Sequence, residues 1–553
     1  MFHIPTRPVV KSRKSNRCNR SLHITALEGR ELPAAAVTAT FNVVTEELRI
    51  EGTEQADVIE VNETSGAVTA GGTRVQIKYS DRTALQPVVF GSIRKIVVNG
   101  LGGDDRITAV DCFVPVTFFG GAGNDTLTGG DWADYLDGGI GGDRLYGGRN
   151  NDVLRGGDGG DRIFGGEHND TIFAGAGDDY VEADLGNDQV YGGIGNDQLF
   201  GGDGHDVLWG QGGNDSVYAG TGDDKVSGHA GNDFLVGDLG VDRLEGGADN
   251  DTLCSDLPWM TRAAVGTEYL IGGDGNDTAY GSAGIDWILG GLGADDLFGG
   301  DGADMIAGEG GDDLIAGEGG QDFLLGGAGA DEIHASTTTN TPTAFPEYID
   351  AGPANDTLFG SDGNDTIYGR DGHDWIDVSA GNDRVFSGAN DDTVLAGPGN
   401  DRVWGESGFD ELYGEDGNDR MHGGAETDYL YGGAGDDDLE GDAGDDYLYG
   451  GTGIDILWGG TERDVLDGED GDDWLIGGSR SSEVFRIIDD RAPDTLYRNG
   501  DSRTNNGSGD QLIGLSADEI REEEENKVFW NPFYELLFAN PEAIPLARLP
   551  WVD

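Results

Sequence analysis

Cysteine is scarce: Cys18, Cys112 and Cys254 are the only three in 553 residues, 94 and 142 positions apart. That spacing fits neither a metal cluster nor a small disulfide framework, so isolated thiols are expected. Basic residues are few as well, 34 against 106 acidic ones, which sets the formal net charge at −72. Sequence-independent nucleic-acid binding rests on basic groups neutralising phosphates, and this balance argues against it. Long apolar runs are missing too. The longest, Phe113 to Phe119, falls far short of the roughly 18 residues that span a bilayer, so no transmembrane segment is expected. Residues 1–37 carry Lys11, Arg13, Lys14, Arg17 and Arg20 without the apolar core of about 7–15 residues that a cleaved secretory signal requires. A basic, targeting-like and disordered segment is expected there.

What is abundant is glycine, 100 residues, and it recurs with a fixed period. From Gly120 to Cys254 the chain divides into 15 consecutive nine-residue units, beginning GGAGNDTLT, GGDWADYLD and GGIGGDRLY. A second run, Gly272 to His334, holds 7 units, and a third, Ala351 to Ile476, holds 14. Position 6 is aspartate in all 36 units; position 8 is leucine, isoleucine or valine in all but two, where Ala279 and Met421 stand. Position 4 is glycine except at Trp132, Asn150, His168, Asp249, Ala354, Asn390, Glu426 and Glu462. Asparagine and aspartate visit left-handed backbone more readily than the others, so distorted loops are expected in some of these units.

Nine residues are too few for a helical repeat. Positions 7 to 9 alternate polar, aliphatic, polar, the pattern of a short half-buried strand, and the glycines before them favour a tight turn. One unit cannot bury its aliphatic side chain alone, so units must stack as in a solenoid. Two units, 18 residues, would complete a turn, and alternate units would form two parallel sheets over a thin aliphatic core. Stacking also places position-6 aspartates about 4.8 Å apart, in a stretch (residues 120–254) whose own net charge is −21. Such repulsion opposes folding unless cations offset it. Calcium, which takes 6–8 oxygen ligands in flexible geometry, suits carboxylates beside exposed loop carbonyls.

The pattern G-G-x-G-x-D-x-aliphatic-x resembles the hemolysin-type calcium-binding nonapeptide repeat of the RTX (repeats-in-toxin) proteins. That resemblance implies an all-β fold, a right-handed parallel β-roll of 18-residue turns; the residues around it read as an N-terminal β cap over 38–119 and a short α or irregular C-terminal tail. It also implies multiple Ca²⁺ ions. The metal ligands would be Asp125, Asp134, Asp143, Asp152, Asp161, Asp170, Asp179, Asp188, Asp197, Asp206, Asp215, Asp224, Asp233, Asp242 and Asp251 in the first run. Asp277, Asp286, Asp295, Asp304, Asp313, Asp322 and Asp331 follow in the second. The third supplies Asp356, Asp365, Asp374, Asp383, Asp392, Asp401, Asp410, Asp419, Asp428, Asp437, Asp446, Asp455, Asp464 and Asp473.

Counting back nine from Asp277 and Asp356 reaches Glu268 and Glu347, each with an aliphatic residue in its slot two places on. The runs therefore read as one roll over 120–478, with loop insertions at 255–262 and 335–341, spanning on the order of 90 Å. Upstream, the sequences around Asp57 and Asp105 echo the repeat. Downstream, 479–553 holds one degenerate unit, Gly507 to Leu512, then Ser516 and Glu519 at capping-box spacing for a short helix. LEGRELPA near the N-terminus resembles a Leu-Glu-x-Arg-x-Leu-Pro element of large surface or secreted bacterial proteins. The family resemblance likewise implies a secreted or cell-surface protein.

No His-Glu-x-x-His zinc motif, GxSxG elbow or glycine-rich phosphate loop is present, so no enzymatic activity is expected. The eight histidines read as solvated side chains. Aromatic residues spaced by 18, such as Phe173, Tyr191 and Trp209 or Tyr413, Tyr431 and Tyr449, read first as cross-strand stacks that stabilise a sheet. The leading expectation is a structural or adhesive rod that folds on extracellular calcium. The alternatives are an export and folding module of an RTX toxin or hydrolase, and a surface that binds cell-surface polysaccharide or another surface protein.

Overall fold

The computed structural model describes residues 21–22, 38–42, 47–64, 73–78, 88–90, 93–109, 114–256, 266–336, 345–477, 486–488, 495–498 and 511–512. Most of the basic segment, the capping box at Ser516 and Glu519, and the tail beyond 512 lie outside them. The described chain is all β, a parallel solenoid of about 20 turns. None of its residues forms a helix long and apolar enough to cross a bilayer.

Each turn contributes one strand to each of two sheets. In one sheet Leu127 pairs with Leu145 and Leu145 with Ile163; in the other Leu136 pairs with Leu154 and Leu154 with Ile172. The increment is 18 residues in every case. It rises to 26 where Leu244 meets Leu270 and Leu253 meets Ala279, and to 25 where Leu324 meets Ile349 and Ile333 meets Leu358. The ladder absorbs the extra residues without losing register, because a slip of one would turn every core side chain outward.

The strands are longer than the three residues that the alternation alone suggests. Tyr135–Ile140 and Gln198–Asp203, for example, run from position 7 across the unit boundary to position 3 of the next unit. The turn is thereby compressed to positions 4 to 6. Position 4 takes a left-handed backbone in most units: Gly195 sits at φ 143°, and a Cβ there would lie 2.0 Å from the carbonyl oxygen of Gly177 one turn earlier. Seven of the eight non-glycine residues at position 4 keep positive φ, for instance Asn150 at 68°, His168 at 86° and Glu462 at 86°. Neighbouring turns therefore impose this conformation even on glutamate and histidine. Among the non-glycine residues Trp132 is the exception, and the strand before its loop, Thr126–Thr128, stops after three residues.

Position 8 of every unit faces the interior, including Ala279 and Met421. Position 1 faces inward beside it, which is why its substitutes for glycine are small or apolar, as at Ala174, Ala219 and Val378. Burying each leucine or isoleucine contributes roughly 1.5–3 kcal/mol. The core holds a single layer of side chains from each sheet, so its stability is a sum over turns.

Parallel pairing continues upstream of the repeats. Ile107 pairs with Leu127 and Ile59 with Ile107, and in the other sheet Val98 pairs with Phe118 and Ile50 with Val98. Antiparallel strands lie at this end: Thr38–Asn42 on Glu47–Glu51, and Thr73–Lys78 on Val58–Thr64. Ser21–Leu22 also pairs antiparallel with Glu63 and Thr64. At the other end Leu496 pairs in parallel with Leu475 and Leu512.

Candidate metal sites along two carboxylate columns

The position-6 aspartate ends each turn and starts each strand. Its backbone carbonyl accepts the first N–H of the strand one turn on, as Asp125 does from Arg144 at 2.8 Å. Its backbone N–H donates to the side chain of the aspartate one turn on: Asp125 to Asp143 Oδ1 at 2.6 Å, Asp152 to Asp170 Oδ1 at 2.7 Å, Asp401 to Asp419 Oδ1 at 2.8 Å. Repeated along the roll, these bonds make two continuous columns, one at the turns entering each sheet. All 36 aspartates are buried, none more than 4% exposed.

Glu268 and Glu347 carry one column across the insertions. Glu268 Oε2 accepts the N–H of Asp242 at 2.6 Å, and its own N–H donates to Asp286 Oδ1 at 2.9 Å. Glu347 joins Asp322 to Asp365 in the same way. The other column reaches upstream to Asp105 and Asp57. The extra methylene of glutamate is tolerated here because only the carboxylate position is shared.

One oxygen of each carboxylate is thus occupied. The second, Oδ2, is buried without any hydrogen-bond donor in 32 of the 36 aspartates, and also in Asp105. Three of the remaining four show why: Asp134, Asp286 and Asp365 turn Oδ2 onto the N–H four residues earlier, in Gly130, Ser282 and Ser361. A buried carboxylate oxygen without a donor or cation costs several kcal/mol. Burial accordingly pushes the carboxyl groups far up, against the lowering effect of the single N–H bond: Asp152 to about 9, Asp188 to about 8, Asp161 to about 7 and Asp197 to about 6. Neighbouring aspartates one turn away push Asp152 and Asp188 further in the same direction. Glu347 is raised to about 9 for the same reasons.

The donor set consists of oxygen atoms only, repeated at every turn, and a nearby cation would favour the ionised form that burial opposes. This fits a hard divalent cation with many oxygen ligands. The residues that would hold it are the position-6 aspartates whose Oδ2 is left over for the ion, which sets Asp134, Asp286 and Asp365 apart because a backbone N–H takes theirs. Glu268, Glu347 and Asp105 occupy equivalent places in the columns.

The RTX calcium-binding nonapeptide repeat matches eleven stretches of the chain, which together cover residues 119–253, 271–333 and 350–479. The chain belongs to this family. The unmatched intervals contain the two insertions and the units in which glutamate replaces aspartate, where the RTX consensus lapses but the columns persist. No curated protein matches the chain as a relative. RTX repeats of this kind bind calcium and form structural rolls, and they are typical of secreted proteins.

Position 5 also has a function that the sequence alone did not disclose. Asn232, Asn250 and Asn276 each donate a backbone N–H to the side-chain oxygen of the asparagine one turn earlier, at 2.8–2.9 Å. His205 and His373 belong to such ladders: their Nδ1 atoms accept the N–H of Asp223 at 2.8 Å and of Asp391 at 3.1 Å. These two histidines are exposed, as the sequence suggests, and in addition cap the loop backbone. The signal was the preference for asparagine and aspartate at position 5, side chains short enough to reach the backbone next door. The aromatic trios do stack: Phe173 on Tyr191 at 4.8 Å, Tyr191 on Trp209 at 4.4 Å, and Tyr413 on Tyr431 at 4.7 Å.

Proposed function

We propose that this protein is a secreted or cell-surface rod, structural or adhesive and without catalytic activity, that folds as it takes up extracellular calcium. The observation that carries this reading is the pair of columns of buried carboxylate oxygens lacking any donor. At low calcium, burying them ionised is too costly for so thin a core, so the chain stays open; at high calcium, each turn gains the ions that neutralise it. Titration of calcium into chelator-treated protein, followed by far-UV circular dichroism and hydrodynamic radius, tests it. A cooperative gain of β signal with compaction is expected at roughly 10⁻⁴ to 10⁻³ M, the range of extracellular modules. A compact β structure unaffected by chelation at neutral pH contradicts it.

A second reading, that the outer face binds polysaccharide, is favoured by one region of the roll. Arg384, Arg402 and Arg420 stand in register on consecutive turns, each two residues from Phe386, Trp404 and His422, also in register. Phe386 stacks on Trp404 at 4.5 Å. In a chain of net charge −72, arginines beside aromatic rings suit an acidic glycan, with sugar faces on the rings and its carboxylates competing for guanidinium groups such as that of Arg420, which Asp438 holds at 3.1 Å. Binding to an array of acidic glycans in calcium, lost in the double variant Arg402→Ala, Trp404→Ala, is the expected result. Absence of binding at every calcium level removes this reading.

A further inference from the structure

One cluster of metal-ligating groups lies outside the carboxylate columns, on the outer face of a sheet. Strands Arg420–Ala425 and Asp438–Ala443 pair so that His422 faces Glu440 and Gly424 faces Asp442. His422 Nδ1 lies 3.4 Å from Glu440 Oε2 and 3.4 Å from Asp442 Oδ2. The three ligand atoms all fall within 4.8 Å of one another. From this geometry we infer that His422, Glu440 and Asp442 form a site for a zinc-class divalent cation, distinct from the calcium columns and completed by water.

The distances decide the class of ion. A tetrahedral zinc centre with bonds of about 2.0–2.2 Å sets neighbouring ligand atoms about 3.3–3.6 Å apart. Both nitrogen-to-oxygen separations already have that value, so the ion requires little rearrangement. Calcium is disfavoured, because it takes six or more oxygens and the described residues offer here one nitrogen and two carboxylates. The imidazole is held in place by the turn before it, where Trp404 lies parallel to the His422 ring at 6.1 Å.

Asp442 occupies position 2 of its unit with φ 66°, the left-handed conformation that Gly424 and Gly460 on the adjoining turns and other position-2 residues such as Gln211 and Glu415 also adopt. The roll itself thus fixes where this carboxylate stands. An imidazolium held between two carboxylates would use the same contacts without a metal, and the two accounts diverge under titration.

Untagged protein, folded in saturating calcium, is titrated with Co²⁺ as a visible probe and then with Zn²⁺. The expected result is one Co²⁺ per chain with the intense visible absorption of a low-coordinate site, bleached by Zn²⁺. Both His422→Ala and Asp442→Gly are expected to abolish that band while keeping the calcium-dependent β signal. Asp442→Gly restores the residue that the backbone prefers, so its thermal midpoint in calcium is expected at or above that of the parent. A parent protein without the band, or a band that persists in either variant, overturns the assignment.

Discussion

In chelator, this protein is expected to gain β structure as the medium is acidified from about pH 8 to about pH 5, the reverse of ordinary acid denaturation. The folded-state carboxyl groups of the columns lie above their unfolded value of about 3.9: near 6 at Asp197, 8 at Asp188 and 9 at Asp152. The folded roll therefore binds more protons than the open chain, and folding is favoured as protons become available. The gain is complete below about pH 4 and is lost as the pH rises through about 6 to 9, where the buried groups must ionise. With calcium present the sign reverses, since the ions need ionised carboxylates and acid expels them. Circular dichroism across this range, with and without calcium, should give two curves of opposite slope. A chelated protein whose β signal is flat or falls on acidification would show that burial of the aspartates is not what keeps the apo chain open.

How much of this was legible in the sequence follows from what each slot has to do. Position 8 must be aliphatic to fill a core with a single layer of side chains from each sheet, and position 6 must carry a carboxylate, so both stand out by repetition. The parallel stacking and the 18-residue turn followed from those two constraints. The strand length did not, because at positions 1 to 3 the inward side chain is usually the hydrogen of glycine, which leaves no apolar mark. The position-5 ladder was hidden for another reason: asparagine, aspartate and histidine all serve as acceptors there, so the slot looks variable while its hydrogen bond is constant. Glu268 and Glu347 could be counted into phase, but only the hydrogen bonds of Asp242 and Asp322 show that they keep the column intact. His422 and Glu440, 18 residues apart, were within reach of the spacing that placed the aromatic stacks, whereas the approach of Asp442 to the same imidazole shows only in the structure.

The columns also predict that two aspartates, identical in the repeat, respond oppositely to the same substitution. Asp188 Oδ1 accepts the N–H of Asp170, and its Oδ2 has no donor. In Asp134 both oxygens are used, Oδ1 by the N–H of Val116 and Oδ2 by that of Gly130. Asp188→Asn keeps the one acceptor the fold uses and removes a buried charge. It is expected to lower the calcium bound per chain and to raise the calcium needed at the folding midpoint, yet to make the chelated roll easier to form at neutral pH. Asp134→Asn places an amide N–H against the N–H of Gly130, leaving a buried donor unsatisfied at a cost of about 1–3 kcal/mol. Its penalty should be similar with and without calcium, and its calcium count should equal that of the parent, because that oxygen was never available to an ion. Calcium stoichiometry by calorimetry and denaturant midpoints in calcium and in chelator separate the two cases. Equal loss of calcium from both variants would mean that the backbone cap at Gly130 yields to the ion, and that the columns bind calcium at every turn regardless of local geometry.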